Sequence, residues 1–309
     1  MIQCREGRNR LERWVILAFI GFVAQLVDGS LGMAYGLTST SFLLLFGIAP
    51  AAASASVHLA EVITTASSGL SHLKFGNVDR GIVTGIALPG SIGAFLGALF
   101  LGSIPGDLVK PYVSILLIAL GLFILIRFLR RPVHRRTLPQ EEPSQNFSKR
   151  GLIPLGFAAG FIDSTGGGGW GPITTPVLLA RKNAEARKVV GSVDTSEFAV
   201  AISATLGFLI SLGWQQVHWE WVIAIMAGGM IAAPIAAWLV RIIPSHLLGI
   251  LVGGMILVTN ARTILTSYPI DSHMIPWVYG ILFCLLGGAV IYSMIRLKKA
   301  KKKIQFQGK

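Results

Sequence analysis

Five acidic residues stand where acids are costly: Asp28, Glu61, Asp163, Asp194 and Glu197 fall within long apolar stretches or at glycine-rich breaks in them. A charged group at a lipid-facing helix centre costs roughly 2.5–3.5 kcal/mol on insertion scales, so all five must face a bundle interior or water. His58 and Glu61 are spaced i, i+3, as are Asp194 and Glu197, so each pair shares one helix face. A carboxyl that takes up and releases a proton inside an apolar bundle can couple an anion carrier to protons. These four are the candidate coupling residues. The plainer reading is a polar network, completed by Ser54, Ser56, Thr64, Thr195 and Ser196, that ties helices together without titrating.

The second feature is a pair of glycine clusters. Gly29, Gly32 and Gly36 interrupt one apolar stretch; Gly166, Gly167, Gly168, Gly169 and Gly171 interrupt another. At membrane depth, unwound backbone survives only where it is buried in protein or lines a wet cavity. A helix restarting after such a break exposes free N–H groups and the positive end of its dipole, which together favour an anion. Two breaks facing each other would form one central pocket. Hydroxyls at and beyond them, Ser30, Thr38, Ser39, Thr40 and Ser41 in one half and Ser164, Thr165, Thr174 and Thr175 in the other, are neutral donors suited to oxyanion oxygens. Tyr35 and Trp170 stand at matching positions and are candidate pocket walls. Asp28 and Asp163 also match; each either borders the pocket or caps the turn that follows it. Scattered glycines such as Gly93 and Gly97 read as close-packing positions. Arg262, beside Asn260, either attracts an anion or snorkels outward.

The elements that must carry these residues are apolar segments at about 14–27, 36–47, 51–72, 81–103, 108–129, 151–162, 172–180, 189–212, 219–240, 246–266 and 274–295. A run of about 20 apolar residues crosses a hydrocarbon core roughly 30 Å thick, so the chain is an all-α, multi-pass membrane protein. The short pairs 14–27 with 36–47, and 151–162 with 172–180, read as half-helices of a broken hairpin. The stretch 130–150, with three prolines and a basic run, reads as a solvated cytoplasmic linker. It separates a first membrane repeat, 1–129, from a second, 151–266; residues 267–309 supply one extra helix and a basic cytoplasmic tail.

The two halves repeat each other. Residues 21–44 laid on 156–179 align Gly21/Gly156, Asp28/Asp163, Gly32/Gly167, Gly36/Gly171 and Thr40/Thr175, among others. One residue of further shift aligns Ser56/Ser192, Val57/Val193 and Glu61/Glu197; three more align Gly90/Gly229, Ile92/Ile231, Ile104/Ile243 and Pro105/Pro244. A hairpin that returns to its own side plus three crossings has odd parity, so the halves are inverted, as in many transporters. Most Lys and Arg then gather with the C-terminus, which the positive-inside rule places in the cytoplasm. The N-terminal arginines Arg5, Arg8, Arg10 and Arg13 oppose that orientation. If each hairpin is instead a single broken crossing, the repeats are parallel and the N-terminus is cytoplasmic.

Composition agrees with a membrane chain: 309 residues, 53% hydrophobic, 13% charged, with 36 glycines. The net charge of +13 lies in loops and tails, where it acts as a topology signal before it suggests nucleic acid. Cys4 and Cys284 are too far apart in sequence to suggest a metal or disulfide framework, and no cofactor is expected. The run GGGGWG lacks the Lys-Ser/Thr ending of a phosphate loop, and no nucleophile elbow occurs, so an enzyme is not expected.

The stretches GFVAQLVDGSLGMAYG followed by LTSTSFLL, and GFAAGFIDSTGGGGWGPITTPVLL, resemble the paired glycine motifs of the sulfite exporter TauE/SafE family. The resemblance covers about residues 14–296. The first motif departs from the commoner pattern at Ser30, Leu31 and Met33. The resemblance implies a plasma-membrane permease for sulfur-containing anions such as sulfite or sulfonates. A carrier of metal cations using the carboxylates, and a membrane enzyme, are the alternatives.

Overall fold

The computed structural model describes residues 2–31, 33–130, 149–180, 186–216, 219–239, 245–268 and 273–307. Most of the linker at 130–150, and Gly32, lie outside them. Eleven α-helices and one short 3-10 turn account for nearly all the described residues, and no strand occurs among them. That follows from an apolar surround, where each backbone amide needs a partner within its own segment.

The order is α1 (Ile2–Leu31), α2 (Tyr35–Leu45), α3 (Pro50–Lys74), α4 (Arg80–Ser103), α5 (Gly106–Arg130), α6 (Lys149–Gly166), α7 (Trp170–Leu179), α8 (Ala186–Leu212), α9 (Trp219–Leu239), α10 (Ser245–Ser267) and α11 (Met274–Gln307). Among the described residues, five helices are long and apolar enough to cross a bilayer: α4, α5 and most of α8, α10 and α11. The chain is a multi-pass membrane protein. Asp79 starts α4 by accepting the amides of Gly81 and Ile82 at 2.8 and 3.2 Å, the usual service of an N-cap aspartate.

The glycine breaks fall where the sequence puts them, but their flanking helices are unequal. The first members are longer than half-crossings: α1 has 30 residues and α6 has 18. At 1.5 Å per residue α6 alone is about 27 Å long. The short members, α2 and α7, have 11 and 10 residues. Apolarity marks only residues 14–27 of α1; Arg and Glu are good helix formers, and the helix runs on through them towards the N-terminus.

Glycine contacts set the packing. A methyl group added at Gly93 or Gly97 of α4 would strike the Phe157 or Phe161 carbonyl of α6, and one at Gly160 of α6 would strike Gly90 of α4. These are small-residue contacts that let backbones approach closely. Likewise Gly21 of α1 abuts the Ile225 carbonyl of α9, and Gly228 abuts Ala18. Helix α3 packs on α8 and α5 on α10. Helix α11 lies outside the bundle, with Trp277, Ile281, Phe283 and Leu285 exposed.

Candidate functional site

The site grows from the two breaks. Ala34, just before α2, has φ 98°, and Gly167, Gly168 and Gly169, just before α7, have φ 66°, 150° and 157°. Such conformations explain the glycines of the second break. The carboxylate seven residues before each restart caps it: Asp28 Oδ1 accepts the Tyr35 amide at 3.3 Å, and Asp163 Oδ1 the Trp170 amide at 2.9 Å. The breaks meet. A Cβ on Gly36 would lie 2.7 Å from the Gly167 carbonyl and from Gly168 Cα, and Thr40 Oγ1 donates to the Gly167 carbonyl at 2.6 Å. Peptide presses on peptide here, and the open space lies to one side.

That space is a cavity of about 180 Å³, room for a small oxyanion and several waters. Helices α1 and α2 contribute Gln25, Asp28 and Tyr35 to its wall; α3 adds Glu61, Thr64, Thr65, Ser68 and His72; α8 adds Val190, Asp194 and Glu197. Four carboxyl groups face it and, among the described residues, no Lys or Arg does. Gln25 Oε1, the Tyr35 hydroxyl, Glu61 Oε2 and Asp194 Oδ2 are buried without a hydrogen bond. Asp194 Oδ2 lies 3.8 Å from His72 Nε2. Unmet polar atoms around a cavity are unusual and call for a partner such as water or solute.

Behind Glu61 lies a closed network. His58 Nδ1 sits 2.8 Å from the Ser54 carbonyl, its Nε2 3.1 Å from Asp163 Oδ2 and 4.0 Å from Glu61 Oε2. A carbonyl only accepts, so Nδ1 carries hydrogen, and Nε2 faces the Asp163 carboxyl at hydrogen-bond distance. Ser54 Oγ donates to the Ser164 carbonyl at 2.6 Å, tying α3 to the end of α6.

Asp28, Tyr35, Glu61, Asp194 and Glu197 thus come together at the cavity, with His58 and Asp163 one layer behind. Trp170 is fully buried elsewhere: its indole donates to the Val193 carbonyl at 3.0 Å and its ring lies over Gly90. Thr174 and Thr165 return their hydroxyls to the carbonyls of Trp170 and Phe161, and Ser164 to those of Gly160 and Phe161. Thr38, Ser39 and Thr175 are buried with unpartnered hydroxyls, and Gly171 is buried. Asn260 donates to Ser41 at 2.8 Å, whereas Arg262 is exposed and outside the cavity wall. Gly29 and Ser30 belong to the helical backbone of α1. The sequence reading passed over Gln25, Thr65, Ser68, His72 and Val190. Glu61, Thr65, Ser68 and His72 recur every three or four residues, a polar stripe on an otherwise apolar helix that marks a wet face.

A family model described as sulfite exporter TauE/SafE matches residues 17–263. The chain is 55% identical over 287 residues to "Probable membrane transporter protein YtnM" of Bacillus subtilis (strain 168), covering 93% of this chain and 94% of that protein. It is 27% identical to "Probable membrane transporter protein YdhB" of the same organism, over 76% of this chain and 89% of the relative. It is 26% identical to "Probable membrane transporter protein y4hK" of Sinorhizobium fredii, over 75% and 94%. No solved structure matches.

Proposed function

The chain belongs to the sulfite exporter TauE/SafE family of membrane transporters, and from that premise we propose that it is a secondary carrier moving small sulfur-containing anions, such as sulfite or organosulfonates, together with protons. The observation that carries the reading is the acid-walled cavity beside the joined breaks. Two like charges 4 Å apart repel by about 4 kcal/mol at an effective dielectric of about 20. An anion therefore enters a pocket walled by four carboxyls only with compensating protons. The Tyr35 hydroxyl and the Gln25 amide offer donors to the solute, while Glu61 and Glu197, with His58 and Asp194 beside them, carry the protons. In this reading the chain transports its solute without converting it.

Reciprocal packing supports a two-fold relation between the halves: α1 lies on α9 as α6 lies on α4, while α3 lies on α8 and α5 on α10. With inverted repeats, alternating access is a rocking of one half against the other. The basic C-terminal end then lies on the cytoplasmic side of the cell membrane.

Purified protein in liposomes tests the proposal. Labelled sulfite or a sulfonate should accumulate when the outside is made acid relative to the lumen, and a protonophore should abolish the accumulation. Flux indifferent to both would remove the proton coupling, and no flux of any sulfur oxyanion would remove the substrate class. The acid wall also favours a second reading, a metal-cation carrier, although no group of three or more His, Cys, Asp or Glu disposed to hold a metal occurs among the described residues. Divalent cation binding lost in Glu197→Gln, without anion flux, would select it.

A further inference from the structure

The register that pairs Asp28 with Asp163 and Glu61 with Glu197 pairs the rest of the cavity wall too, and the packing honours it. Gly21 abuts the Ile225 carbonyl, and its repeat mate Gly156 abuts the carbonyl of Ile86, the mate of Ile225. The Tyr35 hydroxyl lies by Gly229 as the Trp170 ring lies over Gly90. Asp194 faces His72 at 3.8 Å, and their mates His58 and Phe208 face each other with ring centroids 6.0 Å apart. The molecule therefore contains one site in duplicate, and the duplicates differ in chemistry.

In the first copy α3 presents Thr64, Thr65, Ser68 and His72 to open space. At the matching positions α8 presents Val200, Ala201, Ala204 and Phe208, none more than 1% exposed. Trp170, fully buried, stands where the first copy has Tyr35, and fills the volume down to Val200 and Gly90. His58 stands where the first copy has Asp194, so the buried carboxylate of Asp163 has a partner, while Asp28 and Asp194 share a wetter wall. The first copy keeps unmet polar atoms. In the second, Trp170, Val200, Ala201, Ala204 and Phe208 make that part of the wall packed and apolar, the condition that excludes water.

We propose that the chain carries this site twice and uses it once: the first-half copy receives solute, and the second-half copy, filled by Trp170, Val200 and Phe208, is the seal that closes the path beyond Glu61 and Glu197. The inference rests on the cavity being the solute site, and its test reads water access without any flux. In a Cys4→Ser/Cys284→Ser background, a single cysteine is placed at one of two mated positions, Ser68→Cys or Ala204→Cys. The protein in detergent is treated with a small charged methanethiosulfonate. Ser68→Cys should react about tenfold faster or more, a factor that corresponds to about 1.4 kcal/mol in access. Adding Val200→Thr and Phe208→His, which rewrites the seal in the chemistry of the first copy, should bring Ala204→Cys towards the rate of Ser68→Cys. The same two substitutions in the Ser68→Cys protein should leave its labelling intact, showing that the rewritten chain folds. Equal rates at the two positions with the seal untouched would overturn the proposal, as would an Ala204→Cys that stays unreactive in a rewritten chain that folds. A protein that labels as expected but moves no sulfur oxyanion would remove the transport reading and leave the seal standing.

Discussion

Asp28 and Asp163 hold mated positions with unequal duties. Asp163 is 1% exposed and satisfies both the Trp170 amide and His58 Nε2, whereas Asp28 is half-buried beside the cavity and caps only Tyr35. A buried donor left without its partner costs about 1–3 kcal/mol. Asp163→Ala strands the Trp170 amide and leaves buried His58 Nε2 without its partner, and should lower the thermal midpoint of the purified protein clearly more than Asp28→Ala, where water can replace the lost oxygen; equal losses would mean that both sites are dry. At the cavity, Glu197→Gln keeps the shape and removes a proton carrier. Net accumulation should fall by about tenfold or more, equivalent to about 1.4 kcal/mol, while solute exchange at equal pH persists. Loss of both in equal measure would assign Glu197 to solute binding alone. The acids themselves were legible, because a charge in an apolar run has few places to go. His72 was not, since its value depends on facing Asp194 from another helix.

Between elements, contact geometry separates two kinds of glycine. Gly36 is held by space: its Cβ position is already taken by backbone of the opposite break. Gly47 is held only by its φ of 84°, with nothing within 4 Å. Gly36→Ala must push the two breaks apart, and overpacking of this kind costs about 1–3 kcal/mol; because backbone lies on both sides, the upper end is expected, with a changed cavity. Gly47→Ala carries only the left-handed strain, about 1–2 kcal/mol, and should leave transport intact. Unfolding and flux measured on both variants check the contrast, and an unaffected Gly36→Ala would mean that the breaks do not touch. The existence and place of both breaks were readable from glycine clustering. The lengths of α1 and α6 were not, because helix propagation does not stop where apolarity does.

For the whole molecule, the test is orientation. With inverted halves and the positive side inward, a fluorescent reporter after Lys309 should be active in the cytoplasm, and alkaline phosphatase fused to a chain truncated after Ile104 should be active outside. Phosphatase inactive at that point would turn the protein over, and an active phosphatase there together with a C-terminal reporter that is dark in the cytoplasm would make the repeats parallel. The repeat is read from matched residues, and α1 packs on α9 as α6 packs on α4. What no alignment reveals is that Tyr35 lines open space while Trp170, at the matching position, is buried in packed side chains.

Sequence alone determined that the chain lives in lipid, that it is helical, where its helices break and which acids must face inward, because apolar length, glycine and charge each act locally. Only the tertiary structure decided that the breaks close on each other, that the free space lies beside them among Asp28, Glu61, Asp194 and Glu197, and that Trp170 is core while Tyr35 is wall. Those outcomes depend on which distant side chains fill a shared volume, and that is settled by the packing of helices far apart in the chain.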